Sequence, residues 1–333
     1  MIAEARRTVP DLPAELYLEV TNRCNLVCRT CPQFTGMAET AADLSLDQVR
    51  RIVDGLPVVE RAVLHGIGEP SLNRALPAII GYLKARGAYV LFNSNGLALS
   101  GRRMRRIVDA GPDEIRISLD AATRATYRAV RGIDGLPRIV RNLRAIAAYR
   151  DARGATSPRL SCWMTLLREN ACEAPALVRL AHATGITEVY IQRLVFTGGA
   201  LATTEHSLFG SAQHEELAAL QKAERLAAQL GVRLRGSAEA QPAEHVERGG
   251  SGNAYQACRR PWRLVYVTAH GNVLPCCIAP FAAHRYESIV LGNVFATPLK
   301  EIWHGERYQA WREGIESGQP LDPCDRCGLE WSL

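Results

Sequence analysis

The stretch Glu19-Val-Thr-Asn-Arg-Cys24-Asn-Leu-Val-Cys28-Arg-Thr-Cys31-Pro-Gln33 decides the fold of this chain. The apolar run before it, from Leu16 to Val20, is typical of a β-strand and leads directly into the cysteines. Three thiolates at C-x3-C-x2-C spacing can hold three irons of a cubane [4Fe–4S] cluster, which has four irons. A zinc site would need a fourth ligand nearby, and His65 lies far along the sequence. The loop therefore predicts a cluster with one open iron.

This motif resembles that of the radical S-adenosylmethionine (SAM) superfamily, in which the amino and carboxylate groups of SAM chelate the open iron. The resemblance implies that Cys24, Cys28 and Cys31 hold a SAM-binding [4Fe–4S] cluster. One departure from the family pattern is Thr30, which stands where an aromatic residue is common. The change removes no ligand, so the expectation stands.

The composition predicts one large domain with a smaller appendage. The chain has 333 residues, 47% of them apolar, which is enough to bury a full core and a second, smaller one. Its net charge of +6 is spread without a basic block, so we expect no nucleic-acid partner. We find neither a signal segment nor an apolar run of about 18 residues, and expect a cytoplasmic protein that does not contact membranes. Ten cysteines in that compartment indicate metal ligands or free thiols.

Short β-rich runs alternate with helical patterns from Leu16 to about Arg235, as in βα units around a parallel sheet. The predicted strands are Leu16–Val20, Arg61–His65, Tyr89–Asn93, Glu114–Leu119, Arg159–Leu166 and Glu188–Leu194. The predicted helices are Ser45–Asp54, Arg74–Arg86, Arg102–Asp109, Leu136–Arg150, Ala174–Thr184 and Gln213–Leu230. This α/β pattern matches the partial (βα)6 TIM-like barrel that the resemblance implies. Sites in such folds lie at the C-terminal ends of the strands.

The predicted strand ends carry the residues that the resemblance assigns to SAM binding. The second strand ends in Gly66-Ile67-Gly68-Glu69-Pro70, which is similar to the family's GGEP motif with Ile67 in place of a glycine. The other candidates, at later strand ends, are Asn95, Ser118, Asp120, Asn170 and Gln192. The alternative for each of these is an ordinary turn or a helix cap.

A second group of cysteines lies near the end of the chain. Cys258, Cys276, Cys324 and Cys327 resemble the auxiliary-cluster domain of the SPASM/Twitch subgroup, in its shorter, single-cluster Twitch form. The resemblance implies that these four ligate a second [4Fe–4S] cluster fully. A hairpin cysteine followed by C-x2-C is also the spacing of a zinc ribbon. Cys277 is spare: it could exchange with Cys276, face the pocket as a thiol, or simply be buried.

These patterns divide the chain into four predicted segments. Residues 1–14 form an N-terminal extension, and residues 15–235 form the radical SAM core. Residues 236–257 are polar and glycine-rich and read as a linker. Residues 258–333 form the auxiliary iron–sulfur domain.

The main functional prediction is oxidation of a secondary alcohol to a ketone. The cysteine spacing resembles that of the Twitch-type aminocyclitol and aminosugar dehydrogenases of aminoglycoside antibiotic biosynthesis. This resemblance implies a small-molecule substrate, an auxiliary cluster that accepts the second electron, and a flavodoxin or ferredoxin as reducing partner. The candidate catalytic residues are Cys277, Arg193 and Glu114.

Three alternatives remain open. A radical SAM maturase of peptides is one, although only 23 residues precede Cys24, too few for the peptide-binding domain that such enzymes often carry. A redox-neutral sugar epimerase with Cys277 or Cys162 as hydrogen donor is another. The third is a zinc-binding structural protein, which would make no use of the strand-end motifs.

Overall fold

A parallel sheet forms the main body of the protein. The computed structural model describes residues 8–34, 39–195, 200–208, 210–236, 240–247, 254–283 and 285–327. Its first seven strands are β1 (Glu15–Leu18), β2 (Arg61–Leu64), β3 (Tyr89–Ser94), β4 (Glu114–Ser118), β5 (Arg159–Thr165), β6 (Glu188–Gln192) and β7 (Arg233–Gly236). These strands pair in chain order, all parallel. The predicted α/β class is confirmed, and the predicted strands end within about two residues of the observed ones.

The strand β7 is an addition to the six that the sequence predicts. It reads Arg-Leu-Arg-Gly, too short and too polar to show a strand pattern. Its Arg235 donates to Glu188 of β6 at 2.6 Å, so an ion pair takes the place of an apolar contact.

Helices follow the strands and cover the outside of the sheet. They are α1 (Leu46–Val53), α2 (Leu76–Ala85), α3 (Gly101–Asp109), α4 (Arg124–Arg131), α5 (Leu136–Asp151), α6 (Ala174–Ala183) and α7 (His214–Leu230). The sequence did not predict α4, which is short and carries three arginines. The Thr123 hydroxyl caps its first turn, and Tyr127 and Val130 are buried beneath it.

The C-terminal segment extends the same sheet at its other edge. Its elements are α8 (Pro242–Glu247), α9 (Arg260–Arg263), β8 (Leu264–Val267), β9 (Asn272–Leu274), α10 (Ala279–Ala282), β10 (Gly292–Asn293), α11 (Leu299–His304) and α12 (Glu306–Glu316). The strand β8 pairs in parallel with β1, and the full order is β10-β9-β8-β1-β2-β3-β4-β5-β6-β7. The predicted linker contains α8, while residues 237–239 and 248–253 of it lie outside the described residues.

Aromatic packing holds the C-terminal helices together. The guanidinium of Arg312 lies 4.3 Å from the ring centroids of both Trp303 and Tyr308. It also donates to the carbonyls of Pro261 at 2.9 Å and Trp303 at 2.7 Å. Because Arg312 is only 3% exposed, these contacts replace the water that the charge loses on burial. They join α12 to α9, next to Cys258 and β8.

Candidate active site

The loop that follows β1 is braced on both sides of its cysteines. Before them, the Asn22 side chain donates to the Thr40 carbonyl at 2.7 Å and accepts from the Ala42 amide at 2.7 Å. After them, the Gln33 side-chain amide donates to the Asn22 carbonyl at 3.0 Å. The loop is therefore held by hydrogen bonds on both sides of the cysteine run.

The three thiols of this loop lie in a buried setting that suits a cluster. Cys28 is only 8% exposed. Burial, with a smaller contribution from the charge of Cys28, raises the pKa of Cys24 to about 11 and that of Cys31 to about 12. Buried thiolates are costly until cations compensate them, so iron ions would take the place of the thiol protons. The donor set fits a [4Fe–4S] cluster.

The glycines after β2 allow this turn to lie directly against the cluster loop. A Cβ atom on Gly68 would lie 2.1 Å from the Thr21 carbonyl oxygen and 2.8 Å from that of Arg23. A Cβ atom on Gly66 would lie 2.3 Å from Cγ of Glu19. The resemblance assigns these glycines to SAM binding, and the structure gives a second reason for them, which is close packing of two loops.

Glu69 ties the ends of β2 and β3 together. Its buried carboxylate accepts from the Ser94 hydroxyl at 2.8 Å, the Asn95 amide at 2.6 Å and the Ser71 amide at 3.1 Å. Burial raises the pKa of this carboxyl, and these hydrogen bonds oppose the rise. The Asn95 side chain then donates to Asn25 Oδ1 at 2.8 Å, on the cluster loop. Glu69 therefore positions the residue that supports the cysteines.

One cavity of about 880 Å³ extends from these strand ends into the barrel. The predicted site residues that line it are Cys24, Cys28, Cys31, Gly66, Gly68, Glu69, Asn95, Glu114, Ser118, Gln192, Cys258 and Cys277. Cysteines of both groups thus face a single space. The Gln192 amide donates to the Thr165 hydroxyl at 3.1 Å, which places two polar groups side by side on its wall.

Seven predicted site residues are not among the described residues that line this cavity: Pro70, Asp120, Asn170, Arg193, Cys276, Cys324 and Cys327. Asn170 is fully buried and donates to the carbonyls of Asp120 at 2.9 Å and Thr165 at 2.8 Å. It therefore braces the ends of β4 and β5 from behind the wall. Pro70 begins a 3₁₀ turn, and Arg193 is buried beyond the end of β6.

Glu114 and Cys277, two of the predicted catalytic residues, occupy different parts of the cavity. Glu114 begins β4, at the end of the strand away from the cysteines. Burial would raise its pKa, but Arg116 at 3.0 Å and Arg159 at 2.8 Å lower the pKa to about 2. A carboxylate held ionised in this way is a poor proton acceptor near pH 7. Burial raises the pKa of the Cys277 thiol to about 11, so this thiol keeps its proton.

Arg131 was missed by the sequence reasoning. It ends α4, and its Nη1 lies 3.5 Å from Sγ of Cys28, while its Nη2 lies 2.6 Å from Oδ2 of Asp120. The negative charges of Asp120 and Cys28 raise the pKa of Arg131 against the effect of its burial. No motif marks this residue, since it reaches the cysteine only through the fold.

The second group of cysteines converges around another buried arginine. Cys276 follows β9, and the Cys327 amide donates to the Cys324 carbonyl at 3.3 Å. Burial lowers the pKa of Arg260, but Cys277, Cys276, Cys258 and Cys327 outweigh this and raise it. The Trp311 indole N–H points at Sγ of Cys324, 3.3 Å away. The four predicted ligands of the auxiliary cluster, which come from distant parts of the sequence, therefore meet in one place: Cys258, Cys276, Cys324 and Cys327.

A zinc ribbon and a cubane cluster differ in how closely they gather their ligands. Among the described residues, no three His, Cys, Asp or Glu side chains are arranged to bind one metal ion. A tetrahedral zinc ion requires four ligands within about 2.3 Å of it, whereas a cubane holds each thiolate on a separate iron. The donor set fits a second [4Fe–4S] cluster.

Helices able to cross a bilayer are absent from the described part of the chain, because none is both long enough and apolar enough.

Two family models match the chain. One, the radical SAM superfamily, matches residues 18–181, and the other, an iron–sulfur cluster-binding domain named SPASM, matches residues 258–328. The matched segments contain the two cysteine groups.

Relatives match over nearly the whole length. The PqqA peptide cyclase of Gluconobacter oxydans is 26% identical over 97% of this chain and 86% of its own. An AdoMet-dependent heme synthase of Nitratidesulfovibrio vulgaris is 23% identical over 92% and 83%. SuiB of Streptococcus suis bound to SAM shares the fold, with a TM-score of 0.71 and 16% identity over 98% of this chain and 73% of its own. Another structure shows SuiB bound to its precursor peptide SuiA.

These comparisons correct the main functional prediction. Dehydrogenation of an aminocyclitol or aminosugar in aminoglycoside biosynthesis is wrong, because relatives from several bacteria that match over nearly the whole chain are PqqA peptide cyclases. A small-molecule substrate is likewise not supported. The spacing of the late cysteines misled the prediction, since it reports how a cluster is ligated and carries no information about the substrate.

The chain therefore carries the two domains of a radical SAM enzyme: a radical SAM domain with a SAM-binding [4Fe–4S] cluster, followed by a SPASM domain with an auxiliary cluster.

Proposed function

We propose that this enzyme modifies a peptide by removing a hydrogen atom from one of the peptide's carbons and closing a new bond within it. Closure of the bond releases a second hydrogen as a proton, which passes to solvent, and an electron, which the auxiliary cluster would accept. The observation that carries the proposal is the single cavity lined by cysteines of both groups. Its volume of about 880 Å³ leaves room for a substrate side chain beside SAM. The likeness to a PqqA peptide cyclase over 97% of the chain supports a peptide as the substrate.

The walls of the cavity suit radical chemistry. When bound, SAM and the first cluster supply a 5′-deoxyadenosyl radical, which attacks unactivated C–H bonds. Leu26, Val63, Leu194, Ile278 and Phe281 give the wall its apolar part, which would exclude water. Cys277 lies on the same wall, and its thiol is a possible hydrogen donor to a radical there.

The polar residues at the strand ends would orient SAM and the peptide. We propose that Gly66, Gly68, Glu69, Asn95, Ser118 and Gln192 form the SAM side of the cavity. Thr165 and Gln192 lie next to each other at the ends of β5 and β6, where they could hydrogen-bond the peptide backbone. Asp120, Asn170 and Pro70 would act behind the wall as supports, and Glu114 as an ion-pair anchor.

The ligand assignment is part of the same proposal. Cys24, Cys28 and Cys31 would hold the SAM cluster, and Cys258, Cys276, Cys324 and Cys327 would hold a single auxiliary cluster, as in the Twitch form. Anaerobic reconstitution followed by iron and sulfide analysis tests this directly. We expect about eight irons per chain, and about four after replacement of Cys324 and Cys327 by alanine.

The function itself is tested by product analysis. The reconstituted enzyme is incubated without oxygen with SAM, dithionite and short peptides encoded near its gene, and the peptides are examined by tandem mass spectrometry. We expect one peptide to lose two hydrogen atoms while 5′-deoxyadenosine accumulates, and a Cys28→Ala control to leave it unchanged. Conversion of a porphyrin or an aminocyclitol, with every peptide inert, would refute the proposal.

A further inference from the structure

Arg131 connects the cluster loop to the end of β4 through one buried guanidinium. Its Nη1 lies 3.5 Å from Sγ of Cys28, and its Nη2 lies 2.6 Å from Oδ2 of Asp120. The other carboxylate oxygen of Asp120 accepts from the Thr165 amide at 2.8 Å. The carboxylate is therefore fixed by the backbone of β5, and it fixes the guanidinium in turn.

The burial of this group makes its charge effective. The side chain of Arg131 is 11% exposed and that of Asp120 is 1% exposed. Both line or adjoin the cavity that Cys24, Cys28 and Cys31 face. Charges in such a setting act on each other more strongly than at the surface, because water screens them less.

A purely structural ion pair would explain the contact with Asp120 and leave the contact with Cys28 unused. The guanidinium uses two different nitrogens, one for an ion pair with the carboxylate and one to donate to the sulfur. Its fork geometry permits both at once, which an ammonium group on a flexible chain would achieve less well. The arrangement points a fixed cation at a ligand sulfur.

We propose that Arg131 is a positioning residue that raises the reduction potential of the SAM cluster by donating to the Cys28 sulfur, with Asp120 holding it in place. The inference rests on the proposed assignment of Cys24, Cys28 and Cys31 as ligands, and it does not depend on the substrate. Uptake of one electron from an external low-potential donor makes a cluster more negative by one charge. A neighbouring cation and an N–H···S hydrogen bond stabilise the reduced state more than the oxidised one.

The test is a potentiometric titration with dithionite, followed by electron paramagnetic resonance, on the reconstituted protein without SAM or peptide. Two reduction waves are expected, and the one lost when Cys24, Cys28 and Cys31 are all replaced by alanine belongs to the SAM cluster. Arg131→Gln should lower the midpoint of that wave so that the reduced fraction falls about tenfold at a given potential, a shift of about 59 mV. Arg131→Lys should restore part of it. Arg128→Gln, on the exposed side of the same helix, is the control and should change nothing.

Asp120→Asn removes one negative charge but keeps a side-chain oxygen that can accept from the guanidinium, so Arg131 should stay in place and the midpoint of the same wave should rise. An unchanged SAM-cluster midpoint in Arg131→Gln with full iron content would overturn the inference. So would an equal shift of both waves, which would indicate a general change in the protein. If Arg131→Gln fails to load iron, Arg131→Lys and Asp120→Asn decide the matter, and unchanged midpoints in both would count against the role. Loss of both waves in the triple cysteine variant would instead contradict the ligand assignment.

Discussion

The two cysteine groups of this enzyme are built in opposite ways. Cys24, Cys28 and Cys31 lie within eight residues of one loop, so local backbone structure brings them together. The auxiliary set spans Cys258 to Cys327 and meets only because α9, the β8–β9 hairpin and α12 pack around Trp303, Trp311 and Arg312.

This difference shows where each site gets its support. The cluster loop depends on other strand ends, through Gly68 against its backbone, Glu69 through Asn95, and Arg131 at Cys28. The auxiliary site depends on its own small core. We therefore expect substitutions at the two sites to have separable effects.

The largest expected effect follows from removing a cysteine ligand from either of the two groups. Alanine at Cys24, Cys28 or Cys31 should abolish formation of 5′-deoxyadenosine, because SAM would lose the cluster that cleaves it. Alanine at Cys324 or Cys327 should abolish peptide product yet leave part of the SAM cleavage, now uncoupled. Chromatography of 5′-deoxyadenosine and of peptide in the same reactions separates these outcomes. Equal loss of SAM cleavage in both sets would show that the two sites do not act separately.

Gly68→Ala should disturb the loop that carries Cys24, Cys28 and Cys31 and leave the auxiliary site unchanged. The added Cβ would lie 2.1 Å from the Thr21 carbonyl oxygen, and a backbone atom cannot move away cheaply. We expect the protein to lose about 3 kcal/mol of stability and most of the iron of the SAM cluster. Chemical denaturation and iron analysis measure these losses. Gly81→Ala in α2 is the control, since nothing lies within 4 Å of the new atom, and this variant should be as stable as the parent or slightly more so.

Trp311→Phe should change the auxiliary site and leave the SAM cluster unchanged. It removes the indole N–H that lies 3.3 Å from Sγ of Cys324. We expect a loss of about 1–2 kcal/mol and a lower midpoint for the auxiliary reduction wave only. Trp303→Phe is the matched control, because Trp303 is buried in the same domain but donates to the Pro10 carbonyl at 2.9 Å. A shift of the auxiliary midpoint in both variants would mean that packing, and not the contact with sulfur, sets it.

The smallest expected effect is a pH dependence of stability that comes from Glu19, which lies between the barrel and the C-terminal hairpin. It accepts from Ile67 at 2.7 Å on the barrel side and from Ala269 at 3.3 Å on the hairpin side. Burial raises its pKa to about 7, partly opposed by these hydrogen bonds. The folded protein therefore binds this proton more tightly than the unfolded chain does. The stability that Glu19 contributes at low pH is lost as the pH rises through about 7.

Between pH 6 and pH 8 this single group should reduce stability by about 1.4 kcal/mol. Urea denaturation at both values measures the change. In Glu19→Gln this part of the pH dependence should vanish, and a slope equal to that of the parent protein would assign it to another group.

The sequence predicted the parts of the molecule that local patterns encode. Apolar runs between turns located six strands, and cysteine spacing predicted the two clusters that the radical SAM and SPASM domains imply. It could not locate α4 or β7, because their arginines hide the burial of Tyr127 and the ion pair of Arg235. It also missed the pairing of β8 with β1 and the contact of Arg131 with Cys28, which exist only in the tertiary fold. The substrate was out of reach for a similar reason, since cysteine spacing encodes the cluster and not the cavity.

Hydrogen transfer from the substrate tests the central claim most directly. The enzyme with both clusters is given SAM, dithionite and peptides made from fully deuterated amino acids, and 5′-deoxyadenosine is analysed by mass spectrometry. We predict deuterium in 5′-deoxyadenosine with one peptide, and none with the Cys31→Ala variant. Deuterium arriving from a labelled aminocyclitol or porphyrin, with none from any peptide, would contradict the account.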